Sequence, residues 1–264
     1  MRSNNPALNR MLNSAVQERQ GMAAEYGPYG QMTAPPQVQP MTLDSVVVRT
    51  VGMLLLTGIA GAVGWNLLTV NPQAAMVAAG IGGFVALGVI IASWFMRIMN
   101  PWIVGVYAVA QGVGLGVVSA AYESVWNGIV LQAVVATFGV FFAMAALYKF
   151  KVVRNGPKFQ KFMIGAGIGI LAMILINLVM SLMGVDMGLF NNSTTAEVTP
   201  LQWIIAIGMV AYGAFSFVID FDMVEQGVRY GLPQKYAWWA TFALVAGLIF
   251  LYWNILRLLG YVNR

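Results

Sequence analysis

Seven long runs of apolar residues, separated by short polar segments, dominate the chain. Each run is long enough to supply the ~20 residues that a helix needs to cross a bilayer. The pattern therefore predicts an all-α, polytopic membrane protein, with a bundle of seven transmembrane helices within residues 41–264. The predicted spans cover residues 46–70, 74–96, 102–122, 128–148, 162–183, 201–219 and 237–259.

Short local signals refine this picture. Asn71-Pro72 predicts a tight turn after the first span, and Asn100-Pro101 predicts a break before the third, because proline disfavours a continuing helix. Small residues four positions apart predict close packing between helices in a membrane. Such pairs are Gly112 with Gly116 in the third span and Gly165 with Gly169 in the fifth.

Residues 1–40 form the only sizeable polar segment, and we predict a flexible cytoplasmic tail there. Residues 6–19 can form a short helix, either as a frayed tail or as an interfacial anchor or partner-docking helix. Gly21–Pro40 is rich in Gly, Pro, Gln and Met and predicts a flexible tether. No basic stretch followed by an apolar one occurs here, so we expect no cleavable signal peptide. The apolar face of the short helix would hold Leu8, Met11, Leu12 and Ala15.

The composition fits a membrane protein and removes several kinds of chemistry. Hydrophobic residues make up 59% of the chain and charged residues 9%, whereas a soluble domain carries about 25% charged residues. The chain has no cysteine and no histidine, which excludes a thiol nucleophile, a cysteine zinc site and the usual general base. We therefore predict neither an enzyme nor a bound cofactor, and we expect any response to pH to come from a carboxylate.

Basic residues are concentrated on one side of the predicted bundle. If the N-terminus lies in the cytoplasm, twelve of the 14 Lys and Arg residues lie on the cytoplasmic side, as the positive-inside rule requires. We therefore predict a cytoplasmic N-terminus and an external C-terminus. The net charge of +5 then reflects topology and lipid headgroups, so we predict no nucleic-acid partner. The cytoplasmic set is Arg2, Arg10, Arg19, Arg49, Arg97, Lys149, Lys151, Arg154, Lys158, Lys161, Arg229 and Lys235.

An acidic segment after the sixth span is the strongest candidate for a functional site. Asp220 and Asp222 abut the end of a long apolar run, and ionisable residues at membrane depth are costly and often functional. On a helix the two lie about 200° apart, so they do not share a proton, whereas Asp222 and Glu225 share one face. Glu225 can also pair with Arg229 at i+4. A basic partner for Asp222 would be Arg49, Arg97 or a lysine of the basic loop.

Several short motifs occur in order along the spans. The third span carries Asn100-Pro101, Tyr107-Ala108 and Gly112 followed by Leu115-Gly116. The fourth span and the basic loop carry Thr137, Phe141-Phe142, Leu147-Tyr148-Lys149 and Lys158-Phe159. The last two motifs are Phe221-Asp222 and Ile255-Leu256-Arg257-Leu258-Leu259. Together, over about residues 40–260, they resemble the Bax inhibitor-1/YccA family, in its bacterial branch with an extended N-terminus.

The resemblance implies a seven-helix bundle with the last helix near its centre, a pH-sensitive calcium leak and no known enzymatic reaction. It also implies that Asp222 pairs with an Asp of the seventh span as a proton-sensitive latch, and the position of that second Asp falls on Gly247. Gln111 and Asn254 stand where many relatives carry further acids. Some bacterial relatives resemble substrates or regulators of a membrane protease, and the branch places the chain in a bacterial plasma membrane.

The sequence leaves three interpretations open. In the first, Asp222 with Asp220 gates a leak for calcium or another cation, which these acids would hold only weakly and transiently. In the second, the chain regulates a membrane protease or another membrane protein through residues 1–40. In the third, the acids only cap the sixth span and pair with Arg229 and Lys235. Supporting residues for the first interpretation would be Glu225, Asn254, Gln111, Arg49 and Arg229.

Overall fold

The structure, a computed structural model, describes residues 6–25, 39–96, 99–185 and 197–264, with side chains of residues 8–17 in the first of these ranges. These ranges are almost entirely helical and contain no strand, so the predicted all-α class is confirmed. Within them, seven helices are long and apolar enough to span a membrane, and the chain is a multi-pass membrane protein. The helices are α1 (Pro6–Glu25), α2 (Leu43–Val70), α3 (Pro72–Ser93), α4 (Pro101–Glu123), α5 (Ile129–Lys149), α6 (Pro157–Leu182), α7 (Pro200–Arg229) and α8 (Ala237–Val262).

The two Asn-Pro boundaries form as predicted. The Asn71 side chain accepts a hydrogen bond from the Ala74 amide at 3.0 Å, and the Asn100 side chain accepts one from the Trp102 amide at 3.0 Å. In both helices proline takes the first turn, where the amide that it lacks would have no helical partner. The two asparagines therefore fix where α3 and α4 begin.

Two boundaries near the site differ from the prediction by five residues or more. The helix α7 does not end at residue 219 but continues to Arg229, so the acidic segment is helical. The helix α6 begins at Pro157 rather than at residue 162, so Lys158 and Lys161 lie in its first turns and not in a loop. Hydropathy marks the end of the apolar sequence, whereas a helix can continue as polar turns beyond that point.

The helices α4 and α8 form the centre of the bundle. In the most apolar stretch of each, 56% of the residues are buried, against 6% in α6. The helix α8 packs against α7, α2, α5 and α4, as predicted for the last span. By contrast, α6 packs mainly against α7 and is the most peripheral of the seven spans.

Glycines bring α2 and α4 into backbone contact. A Cβ atom at Gly116 would overlap the carbonyl oxygen of Gly61 in α2. A Cβ atom at Gly112 would also overlap the backbone of α2. The predicted close packing through Gly112 and Gly116 is therefore confirmed. The same prediction for Gly165 and Gly169 was wrong, because no other described residue lies within 4 Å of a Cβ atom placed there.

The α5–α6 loop, the end of α7 and the starts of α2 and α8 meet at one end of the bundle, which we call the basic end. The chain before α2 pairs there with the turn between α7 and α8. The Met41 amide donates to the Leu232 carbonyl at 2.7 Å, and the Gln234 amide donates to the Gln39 carbonyl at 2.9 Å. These bonds hold the start of α2 beside the α7–α8 turn.

The first helix, α1, packs against the basic end rather than crossing the membrane with the others. Leu8, Met11 and Ala15 are buried in the hydrophobic core cluster that includes Tyr236. Arg10 donates from its guanidinium to the Trp94 carbonyl at 3.0 Å, just after the end of α3. The predicted tether, Gly21–Pro40, begins too early, because α1 continues to Glu25. Residues 26–38 of that segment lie outside the described residues.

Candidate functional site

A cavity of about 1270 Å³ opens at the basic end, between the last turns of α5 and α7 and the loop that joins α5 to α6. Asp222 and Glu225 line this cavity, but Asp220 does not. The acidic side chains of this segment therefore lie in two different environments. Because Asp220 and Asp222 lie about 200° apart around α7, one carboxylate faces the cavity and the other faces the bundle.

The end of α5 shapes one wall of the cavity. The Val152 amide donates to the Leu147 carbonyl at 3.0 Å, and the Lys151 amide donates to the Tyr148 carbonyl at 2.9 Å. This is the Schellman pattern that ends many helices, usually with glycine at the left-handed position. Here Lys151 takes that position with φ of 60°. The chain reverses at this point and brings Asn155 back towards α7.

Asp222 is held by neutral hydrogen-bond donors. Asn155 donates from Nδ2 to Asp222 Oδ2 at 2.7 Å, and Gln226, one turn further along α7, donates from Nε2 to the same oxygen at 2.6 Å. The Tyr148 hydroxyl lies 3.4 Å from Asp222 Oδ1. One carboxylate therefore connects the α5–α6 loop with α7 and stands beside the end of α5.

The Tyr148 hydroxyl also donates to Glu225 Oε2 at 2.6 Å. A tyrosine hydroxyl has a single proton, and the shorter distance assigns that proton to Glu225 rather than to Asp222. Glu225 and Asp222 are three residues apart and share a helix face, as the sequence predicted. The two carboxylates are thus brought to one hydroxyl of a neighbouring helix.

Asp220 faces the contact between α7 and α8. Its Oδ2 atom lies 3.5 Å from the position that a Cβ atom at Gly247 would take, and Phe217 lies beside the same position. No described residue donates a hydrogen bond to the Asp220 carboxylate. The resemblance placed a second Asp at the Gly247 position as the partner of Asp222. The geometry instead places that position next to Asp220.

Aromatic rings separate the two carboxylate environments. The rings of Phe217 and Phe221 stack with centroids 6.0 Å apart, and Phe141 of α5 meets them edge-on at 5.1 and 5.4 Å. Phe221 also contacts the Tyr148 ring at 5.9 Å. This apolar cluster fills the contact between α5 and α7 and packs against the ring of Tyr148, which lines the cavity.

The residues predicted to support Asp222 are not brought together around it. Arg49 donates to the Gln234 carbonyl at 3.0 Å and lies over the Trp238 ring. Asn254 is buried in α8 and donates to the carbonyl of Phe250 in its own helix. Gln111 does not line the cavity, and Arg97 lies outside the described residues. Only Glu225 and Arg229 of the supporting set share the cavity with Asp222.

No lysine or arginine of the described residues forms an ion pair with Asp222 or Glu225. Arg229 lines the cavity without a bonded partner among them, so the predicted Glu225–Arg229 pair is not formed. The partners of Asp222 that the sequence analysis missed are Tyr148, Asn155 and Gln226. Gln226 stands at i+4 from Asp222, a spacing at which such side chains bond on a helix. For Tyr148 the available signal was the polar pair Tyr148-Lys149 at the end of an apolar run.

The described residues hold no cluster of three or more His, Cys, Asp or Glu side chains that suits a metal ion. No curated protein sequence is similar enough to the chain to count as a match. The family model for Bax inhibitor 1 like proteins, however, matches residues 5–264. This match spans almost the whole chain and agrees with its seven apolar helices. The chain therefore belongs to the Bax inhibitor-1 family.

Proposed function

We propose that the chain forms a pH-sensitive pathway for calcium or another cation across a bacterial plasma membrane, with the basic end in the cytoplasm. Membership of the Bax inhibitor-1 family and the seven spans support this function. The concentration of Lys and Arg at the basic end supports the orientation, because basic loops are retained in the cytoplasm. We propose no catalytic role, because the family resemblance implies no enzymatic reaction and the chain has neither cysteine nor histidine.

The observation that carries the proposal is the position of the Asp222 carboxylate. It accepts a bond from Asn155 in the α5–α6 loop and stands within reach of Tyr148 at the end of α5. An ionised carboxylate accepts such bonds with both oxygens, whereas protonation converts one oxygen into a donor. Protonation of Asp222 therefore weakens the connection between α7 and the loop, and this change gates the path.

Asp220 is the second group of the proposed gate. Its carboxylate lies inside the bundle, at the contact between α7 and α8 near Gly247. A charge at membrane depth without a bonded partner is expensive. Protonation or contact with a passing cation lowers this cost, so the charge state of Asp220 biases how α7 and α8 pack.

Calcium is proposed as the permeating ion and not as a resident cofactor. It prefers six to eight oxygen ligands, whereas Asp222 and Asp220 face different sides of α7. Each offers a passing cation a weak and transient contact. Glu225 adds a third carboxylate at the mouth of the path, where the Tyr148 hydroxyl already occupies one of its oxygens.

Calcium flux into proteoliposomes, measured over a range of pH, tests the proposal. Asn at position 222 keeps the size of the side chain but does not titrate, so we expect Asp222→Asn to flatten the pH dependence of the flux. Asp44→Asn is the matched control, because Asp44 is exposed in the first turn of α2 at the same end of the bundle. A pH profile of Asp222→Asn identical to that of the unmutated chain would remove this role for Asp222.

The second candidate function is a non-transporting regulator of a membrane protease or another membrane protein. The observation that favours it is α1, a helix outside the seven spans that packs on the basic end through Leu8, Met11 and Ala15. A partner could bind α1 or replace it. If this function holds, deletion of residues 1–40 abolishes recovery of the partner while the bundle stays folded. Unchanged recovery counts against it.

A further inference from the structure

The cavity at the basic end is lined by cationic side chains, and no acidic side chain of the described residues forms an ion pair with them. Four cationic side chains line it, and none has an ion-pair partner among the described residues. The two carboxylates in the lining, Asp222 and Glu225, are occupied by the neutral donors Asn155, Gln226 and Tyr148. The lining therefore has an excess of two positive charges over its carboxylates. The four cations are Lys149, Lys151, Arg154 and Arg229.

This charge pattern suits an anion and disfavours a cation at rest. A concave site whose lining has an excess of one sign of charge attracts ions of the opposite sign. Arg154 and Arg229 line the same cavity from different elements, the α5–α6 loop and the end of α7. The planar guanidinium group matches the oxygens of phosphate in a two-pronged contact. Lys151 is kept at a left-handed backbone position, with φ of 60°, where glycine is the usual residue.

We propose that this cavity binds a phosphate-bearing anion through Arg154 and Arg229, with Lys149 and Lys151 adding charge. The cavity lies where spanning helices end, which is the depth of phospholipid headgroups. The ligand chemistry is therefore a phosphate group, supplied either by the headgroup of an anionic lipid or by a free phosphate compound. The volume of about 1270 Å³ accommodates a headgroup or a small phosphate ester.

The alternative to an anion site is that these cationic side chains only set the membrane topology. Lys158 and Lys161 separate the two explanations. They carry the same charge, lie at the same end of the bundle in the first turns of α6, and do not line the cavity. A topological or diffuse electrostatic role treats both sets of cations alike, whereas a built site depends on the cavity set.

Occupancy of the site would act on the gate, a consequence that rests on the proposed function. Arg154 adjoins Asn155, and Asn155 donates to Asp222, so an anion bound to Arg154 steadies the loop that holds the carboxylate. The same anion neutralises the excess positive charge through which a cation must pass. Binding itself is independent of transport and is measured without any flux assay.

Thermal unfolding of the full chain in neutral detergent tests the binding. The added compounds are short-chain phosphatidylglycerol, short-chain phosphatidylcholine and inorganic phosphate, because a ligand that binds the folded state raises the unfolding temperature. We compare the double variant that combines Arg154→Gln and Arg229→Gln with a control double variant that combines Lys158→Gln and Lys161→Gln. A second cavity double variant, which combines Lys149→Gln and Lys151→Gln, is used in case the first fails to fold.

We expect phosphatidylglycerol to stabilise the unmutated chain and the control pair more than phosphatidylcholine does. Loss of two cavity cations weakens this binding by about thirtyfold, from roughly 1 kcal/mol for each cation. Stabilisation by phosphatidylglycerol alone identifies a lipid headgroup as the ligand, and stabilisation by inorganic phosphate as well identifies the free anion. Equal weakening in the cavity and control pairs overturns the proposal. So does the absence of stabilisation by both phosphatidylglycerol and inorganic phosphate.

Discussion

At the scale of single residues, the Tyr148 hydroxyl lies near the carboxylates of both Glu225 and Asp222 and donates its one proton to Glu225. The Tyr148 hydroxyl lies 2.6 Å from Glu225 and 3.4 Å from Asp222. Hydrogen bonds to charged acceptors are stronger than those between neutral groups. Tyr148 therefore links α5 to α7 at the point where Phe221 packs against its ring.

Replacement of Tyr148 by phenylalanine tests this link. The ring and its packing remain, but the hydroxyl is lost, so we expect Tyr148→Phe to lower the free energy of unfolding by about 1–2 kcal/mol. Tyr230→Phe is the control, because Tyr230 lines the same cavity and its hydroxyl bonds to no other described residue. Thermal unfolding in detergent measures both variants. Equal losses would show that the Tyr148 hydroxyl does not hold α5 to α7.

Only part of this residue-scale geometry could be predicted from the sequence. The i, i+3 spacing placed Asp222 and Glu225 on one face, because that relation depends on α7 alone. Tyr148 and Asn155 are 74 and 67 residues from Asp222, and periodicity within one helix says nothing about such contacts. The i+4 pair of Glu225 with Arg229 was wrong, because an exposed pair gains little and the Tyr148 hydroxyl competes for the carboxylate.

At the scale of elements, the end of α7 shows what hydropathy alone misses. The apolar run stops at residue 219, but the stop signal of the helix is Gly231, with φ of 61°. The Leu232 amide donates to the Gly227 carbonyl at 3.0 Å, which completes the C-terminal capping pattern. Glycine followed by Pro233 two residues later is a sequence signal for a helix end. The acidic segment is therefore helical and aims its carboxylates in fixed directions.

The helix α1 carries the element-scale prediction. Its face toward the bundle is buried, with Leu8 at 0% exposure and Met11 at 4%, whereas Val16 is 51% exposed. The chain has no cysteine, so single cysteines can be introduced without background. We expect Leu8→Cys and Met11→Cys to react with a thiol reagent at least about tenfold more slowly than Val16→Cys, because labelling requires local undocking.

Mass spectrometry of the detergent-solubilised chain follows the labelling. Mild denaturant is the control, since it should bring the three rates together. If residues 1–40 instead form a flexible tail, as the sequence predicts, the three cysteines react at one rate from the start. Equal rates would also remove the basis for α1 as a partner-docking helix.

At the scale of the whole molecule, the sequence predicted the architecture better than the contacts. Seven apolar runs and two Asn-Pro boundaries are local features, and the structure contains all of them. Packing order is not local. Gly112 and Gly116 meet α2, while Gly165 and Gly169 face open space, although their spacing is the same. Small residues permit close approach, but the partner depends on the position of each helix in the bundle.

Orientation in the membrane is the remaining whole-molecule property, and the same cysteine-free chain makes it measurable. The basic end holds the α5–α6 loop, whereas the opposite end holds the α2–α3 turn. Among the described residues, the basic side chains on that opposite side are Arg257, which is buried in α8, and Arg264. We expect a cytoplasmic basic end, because an inversion would carry Lys149, Lys151 and Arg154 across the bilayer against the membrane potential.

A membrane-impermeant thiol reagent, applied to intact spheroplasts, should label Gln73→Cys and leave Val152→Cys unlabelled. Both positions are exposed, at the α2–α3 turn and in the α5–α6 loop. Permeabilised spheroplasts are the control, and there both variants should react. The reverse pattern would place the Asp222 cavity outside the cell, where external rather than cytoplasmic protons would reach it. Because the proposed gate then senses the other compartment, this measurement decides which pH must be varied in every flux experiment.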